Sequence, residues 1–270
     1  MEKVHFTEEK ATMLATLYGR ALDNRRTDPV LGDQAADDAV ARIDYDFTKL
    51  GMNPDLAMAV VLRAKPMDAW AAEFLRAHPD AVVVHLGCGM DSRVFRLDPP
   101  PTVTWFDVDY PEVIALRQKI YPSRPGYHQI GTSVTDFAWL DQVPSDRPAL
   151  VVAEGLTMYL TPSGGEELVR RLVARFPSGE MILDLYSRLG IRLQKLNPIV
   201  RKAGATLHWG VDDPRELEAL ELTLVRALDV ATAYPDSDMH RVSAATRLQI
   251  RIARMIPALR RMGHIARYRF

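Results

Sequence analysis

The sequence predicts an α/β fold, a mostly parallel sheet with helices on both faces, standing behind an all-helical first third. Two observations carry this. From Ala81 onward, short apolar β-branched runs alternate with helical stretches, the pattern of strand–helix–strand units. Before that point the chain reads as helix only, and His78-Pro79-Asp80 ends it sharply, because proline cannot continue a helix and restricts the residue before it.

In the helical third, Thr7 is a good N-cap for a helix carrying Met13, Leu14, Leu17 and Ala21, with Asn24 as its stop. A second helix is expected over Asp33–Lys49. A third starts after Asn53-Pro54 and runs to Leu75, with its middle blurred by Leu62, Pro66 and Trp70.

The strands follow. Val82–Leu86 is the first, and Thr102–Phe106 comes after the turn-rich Asp98-Pro99-Pro100-Pro101. A weaker strand lies near Tyr127–Ile130. Ala149–Ala153 and Met181–Leu185 complete the set, the former apolar throughout, as for a strand covered on both faces. Between those two, Thr161-Pro162 caps a helix whose stripe is Leu168, Val169, Leu172, Val173 and Phe176. Helical pieces are expected at Arg188–Lys202 and at Asp213–Leu220, where Asp213-Pro214-Arg215-Glu216 is a capping box. The last thirty residues carry arginine and no acid. Arg247, Arg251 and Arg254 share one helical face and Leu248, Ile252 and Met255 another, which predicts a solvated basic face.

Composition narrows the function. A formal charge of -1 gives no electrostatic case for nucleic acid or an anionic membrane as partner. The single cysteine, Cys88, suits a reducing compartment, and no cationic segment followed by an apolar run opens the chain, so a cytoplasmic protein is expected. Apolar stretches such as Ala57–Leu62 are too short to cross a bilayer. The seven histidines are scattered without ligand spacing, so no metal is expected. A homo-oligomer is left open.

Chemistry concentrates after the first strand. Gly87-Cys88-Gly89-Met90-Asp91-Ser92 turns a strand into a helix, where glycines let the backbone pass close to a ligand and a helix start offers free N–H groups. The third position of a dinucleotide fingerprint holds Ser92, so a nucleotide-like ligand without a pyrophosphate fits better. A plain tight turn would look the same. About twenty residues on, Trp105-Phe106-Asp107-Val108-Asp109-Tyr110-Pro111 ends the second strand beside the ligand crevice, where an acid can accept both ribose hydroxyls. Asp107 and Asp109 compete for that role. Glu154 ends a central strand after Leu150-Val151-Val152-Ala153; a charge there needs a partner, either a ligand cation or a buried arginine.

These segments, with Glu154-Gly155-Leu156-Thr157-Met158-Tyr159-Leu160, resemble the leucine carboxyl methyltransferase family, and most closely its bacterial polyketide-pathway O-methyltransferase branch. The resemblance runs from about Tyr18 to Phe270. It implies the class I S-adenosylmethionine-dependent methyltransferase fold, Rossmann-like, with a seven-stranded sheet whose last strand is antiparallel. It implies a single domain over 1–270: a helical cap at 1–78, a donor-binding core at 79–187, and acceptor-side helices and final strands at 188–270. The implied cofactor is S-adenosyl-L-methionine. The implied partner is a small-molecule acceptor, mostly a carboxylate in the family.

Residue by residue, the resemblance makes Arg63, twelve positions before Leu75, the arginine that holds the donor's carboxylate, which a planar guanidinium does by paired contacts. Gly87, Cys88 and Gly89 match the donor loop, and Asp109, rather than Asp107, matches the ribose acid. Ser133, Asp136 and Phe137 match the segment that embraces the adenine. Glu154 is expected to meet the donor's sulfonium or ammonium. Tyr159 faces the acceptor or packs in the core. Residues gripping a protein substrate in the eukaryotic branch have no match, so protein methylation is disfavoured. Methylation of a phenol or enol, with His208, His240 or His264 as base, is the alternative chemistry. A non-catalytic adenosine-ligand-binding protein is the alternative class.

Overall fold

The computed structural model describes residues 2–3, 9–196, 200–201 and 204–270. Its centre is a seven-stranded sheet: β1 (Val82–Leu86), β2 (Thr104–Asp109), β3 (Tyr127–Gly131), β4 (Ala149–Ala153), β5 (Gly179–Tyr186), β6 (Thr223–Asp229) and β7 (Gly263–Arg269). The spatial order is β3-β2-β1-β4-β5-β7-β6. All pairings are parallel except those of β7, which runs antiparallel to both β5 and β6. The order reverses between β1 and β4, so the crevice at their carboxyl ends is where such a sheet binds ligands.

The alternation of side chains builds two core layers. Val82, Val84 and Leu86 pack toward helix α6 (Pro162–Arg175) through Leu168, Val169 and Leu172. Val83, Trp105, Leu150 and Ile182 pack the other way, against Met67, Trp70 and Phe74 of α3 (Pro54–Ala77). A third layer joins α1 (Glu9–Asn24) and α2 (Gln34–Arg42) to α5 (Pro111–Ile120), with α4 (Arg93–Leu97) short between them.

Several boundaries differ from expectation. Thr7 lies outside the described residues. α2 stops at Arg42: Ile43 turns extended to pair with Glu2, and Asp46 caps a separate 3-10 turn, Phe47–Leu50, closed by Gly51 at φ 62°. α3 runs to Ala77 straight through Pro66. That proline has no N–H for the carbonyl of Leu62, but burial of Met58, Val61, Leu62, Met67 and Trp70 keeps the helix whole. β2 is displaced to Thr104–Asp109, because Val103 donates to Pro100 in a turn and the two acids, both partnered, continue the strand. In 188–202, helix is confined to α7 (Arg188–Arg192), a 3-10 turn at Gln194–Leu196 and residues 200–201; 197–199 and 202 lie outside the described residues.

α8 (Val230–Ala233) follows β6, and α9 (Ala244–Met255) inverts the expected amphipathic arrangement. Arg254 reaches Asp236 and the Tyr234 carbonyl, and Arg247 reaches the carbonyls of Met239 and Val242. Leu248 and Met255 are instead 59% and 81% exposed. The two arginines have nearby acceptors to satisfy, and Ile250 supplies the buried contact.

Candidate functional site

At the carboxyl edge of the sheet lies a cavity of about 1100 Å³. It is walled by the β1 loop, the ends of β2, β4 and β5, the inner faces of α1 and α3, and, from the chain after α7, Leu193, Gln194, Leu196, Val200 and residues 204–208.

Gly87 and Gly89 bring the loop's backbone to the cavity wall. Both have positive φ, 57° and 48°, and an added Cβ would stand 2.9 Å from Leu156 at the first and 2.9 Å from Met13 at the second. Cys88 lines the same wall, buried, with its thiol pKa pushed up by that burial.

The two aspartates divide cleanly. Asp109 lines the cavity and accepts the N–H of Gly89 at 2.7 Å and of Tyr110 at 2.7 Å. Burial raises its pKa above the usual carboxylate value, against those two donors. Asp107 is fully buried one pleat away and does not line the cavity. It binds Arg117, His85 Nδ1 (3.1 Å), the Trp105 indole (2.9 Å) and the Tyr127 hydroxyl (2.5 Å). Burial opposes its ionisation, but Arg117 overrides it and lowers the pKa.

Arg63, on α3, reaches the cavity with its side chain 26% exposed. Its Nε donates to Glu154 Oε1 at 3.1 Å, Nη2 stands 3.0 Å from the same oxygen as an ion pair, and Nη1 donates to Asp184 Oδ2 at 3.2 Å. Glu154 is otherwise enclosed. Arg20 meets its Oε1 at 3.0 Å and Arg93 its Oε2 at 2.5 Å. Burial alone would raise its pKa; the three guanidiniums hold it at about 2. Of the two partners expected for this acid, buried arginine is the one in place, and a ligand cation would meet a carboxylate already engaged. Burial raises the pKa of Asp184, against the opposing charge of Arg63.

Ser133 lines the cavity with Val134 and Thr135. Asp136 and Phe137 do not. The chain enters a 3-10 turn at Phe137–Gln142 that sends Trp139 and Leu140 into the core. This leaves Asp136 exposed and puts Phe137 under the Arg171 guanidinium, 4.3 Å from its centroid. Of the three residues expected around an adenine, Ser133 alone is on the cavity wall, flanked there by Thr132, Val134 and Thr135. Tyr159 lines the opposite end, mostly buried and hydrogen-bonded to Thr12, with its pKa raised by burial. Of the three histidines considered as bases, His208 and His264 line the cavity and His240 does not.

Sequence reasoning missed Arg20, Asp184, Tyr186 and Tyr234, all on the cavity wall. Asp184 had one signal, a lone acid inside the apolar run Met181–Leu185; the others had none. A roof over this end is tied by Gln194, whose amide accepts from Leu207 N at 2.7 Å and donates to Leu207 O at 3.2 Å. Among the described residues no group of three or more His, Cys, Asp or Glu could hold a metal ion, and no helix is long and apolar enough to cross a membrane.

Comparison with known proteins agrees with this architecture. Residues 11–173 match the family described as leucine carboxyl methyltransferase. The chain is 50% identical to the tetracenomycin polyketide synthesis O-methyltransferase TcmP of Streptomyces glaucescens, over 81% of each chain. It is 36% identical to the S-adenosyl-L-methionine-dependent methyltransferase dpfgK of Gibberella zeae, over 80% of each. Among solved structures it is similar to a duf574 family protein from Streptomyces avermitilis, with a TM-score of 0.62 over 97% of both chains; at 14% identity that likeness concerns the fold alone.

Proposed function

Since the chain belongs to the leucine carboxyl methyltransferase family, we propose that it methylates the carboxylate of a small aromatic, polyketide-type acid to give a methyl ester. An O-methyl transfer that depends on S-adenosyl-L-methionine follows from the family and its relatives.

One observation carries it. A single cavity is lined both by the glycine loop, Asp109 and Arg63 and by Leu56, Tyr159, Tyr186, Leu193, Leu207 and Tyr234. That space suits a donor and a flat, largely apolar acceptor side by side.

The residues fit the donor. Gly87 and Gly89 bring bare backbone to the cavity wall, where a side chain at either position would collide with Leu156 or Met13. Asp109 presents an acid to ribose hydroxyls, and Ser133–Thr135 form the wall beside the base. Arg63, partly exposed on the cavity wall and held by Glu154 and Asp184, would hold the donor's carboxylate. When bound, the donor supplies an electrophilic methyl group on a sulfonium. Tyr159 positions the acceptor, and Leu193, Val200 and Leu207 keep water from that end. A carboxylic acid with pKa of about 4 is already ionised at neutral pH, so the chain needs to orient it rather than deprotonate it. A hydroxyl acceptor is the second reading, favoured by the presence of His208 and His264 on the cavity wall. We further infer a cytoplasmic protein whose partner is a small molecule rather than nucleic acid or membrane.

The test is incubation with methyl-labelled S-adenosylmethionine and a panel of one- to four-ring aromatic acids. Label passing into an organic-soluble product supports the reading; no transfer to any acid sinks it.

A further inference from the structure

The loop Gly87–Asp91 is held from beneath by one helix. Arg117 Nη1, on α5, donates to the carbonyls of Gly89 at 2.7 Å and Asp91 at 2.8 Å. One turn later, the Tyr121 hydroxyl donates to the carbonyl between them, Met90, at 2.7 Å. Three successive carbonyls are thus captured by two side chains, one in the last turn of α5 and one on the residue that caps it. The guanidinium lies 5.1 Å from the Tyr121 ring centroid, so the pair also packs on itself.

Arg117 is in turn fixed. Its Nη2 binds Asp107, and the Tyr127 hydroxyl accepts from the same nitrogen at 2.9 Å. Neither Arg117 nor Asp107 exposes any side-chain surface. A buried ion pair is weak evidence for stability, since desolvation offsets its attraction. This one is aimed: with Nη2 held by Asp107 and Tyr127, Nη1 gives both its hydrogen bonds to the loop. Arg117 and Tyr121 do not line the cavity, so they act through backbone.

We propose that Arg117 and Tyr121 are positioning residues for the donor. They draw the carbonyls of residues 89–91 away from the cavity and set the backbone that passes the ligand. The Gly89 N–H is thereby left pointing to Asp109, so the loop and the acid are placed as one unit. The inference rests on the reading that this loop receives the donor.

The experiment uses the full chain as Tyr121→Phe, which keeps the ring and removes only the hydroxyl, and as Arg117→Lys, which cannot hold two carbonyls and Asp107 at once. S-adenosylhomocysteine is titrated calorimetrically, thermal melting is recorded, and kinetics are run on any acid the wild type methylates. Expected is a rise in product Kd of about 3- to 10-fold for Tyr121→Phe, the effect of one neutral hydrogen bond. Arg117→Lys should give a larger rise. kcat at saturating donor and acceptor KM should stay within about twofold in Tyr121→Phe. Unchanged Kd with only a lowered Tm in Tyr121→Phe would make these contacts structural and overturn the proposal. A wild type that binds no S-adenosylhomocysteine would overturn the donor reading itself, and this inference with it.

Discussion

Arg63 and Glu154 meet through two nitrogens on one oxygen: Nε of the guanidinium donates to Oε1 at 3.1 Å, and Nη2 stands 3.0 Å from it as an ion pair. The contact turns the arginine's plane and leaves its partly exposed side to the cavity. Arg63→Lys should therefore be nearly as damaging to donor affinity as Arg63→Ala, since lysine cannot copy a planar two-point contact. A donor analogue lacking its carboxylate is the control. If mutant and wild type still differ in affinity for that analogue, Arg63 does not hold the donor carboxylate.

For the paired aspartates, Asp109→Ala should weaken S-adenosylhomocysteine binding by roughly 1.5–3 kcal/mol with the fold retained. Asp107→Ala should instead lower Tm, because it strands the buried Arg117. Calorimetry and melting on both variants check this; equal affinity for wild type and Asp109→Ala contradicts it. Because burial raises the Asp109 pKa, donor affinity should begin to fall at a higher pH than an ordinary aspartate would dictate.

Glu154 predicts a pH window for stability. Its folded pKa of about 2 lies below the unfolded value near 4.5. Its contribution is therefore full above about 4.5 and is lost as pH falls toward about 2. Glu154→Gln should cost about 3 kcal/mol at pH 7, leaving three guanidiniums facing a neutral amide. The difference from wild type should narrow through that acid range in denaturant titrations. A difference that stays constant from pH 7 to pH 3 would show that the charge does not matter.

Much of the frame was legible in the residues. Val82–Leu86 and Ala149–Ala153 are found to the residue because unbroken β-branched and apolar runs have few other uses. The glycine loop and the pair Asp107 and Asp109 were legible because strand ends fix where a crevice lies; choosing between the two aspartates took the family resemblance. That Asp136 and Phe137 stand off the cavity wall was not legible, because a 3-10 turn begins there and turn geometry leaves little trace in residue type. Arg20 was invisible: it reads as an ordinary helix arginine, and its partner Glu154 stands 134 positions away. α9 misled for a related reason. Its arginines looked solvated until Asp236 and nearby carbonyls, contributed by other segments, came within reach.

Ester and ether formation make different demands on this cavity. A carboxylate needs no base, whereas a phenol with pKa about 10 does. His208→Gln and His264→Gln should therefore each keep turnover within a few-fold of wild type. The 10²-fold or greater loss that follows removal of a general base should be absent, with donor binding intact. Burial lowers the pKa of His264, so its ring stays neutral at pH 7, and activity should show no titration attributable to it above that pH.

The most direct test of the account is the chemical nature of the product. Labelled methyl transferred from S-adenosylmethionine to an aromatic acid is treated with mild alkali and the released label is counted. The account predicts release as methanol with recovery of the free acid, because the bond formed is an ester. Label that stays on the aromatic product would mark an aryl ether and contradict the carboxylate as acceptor.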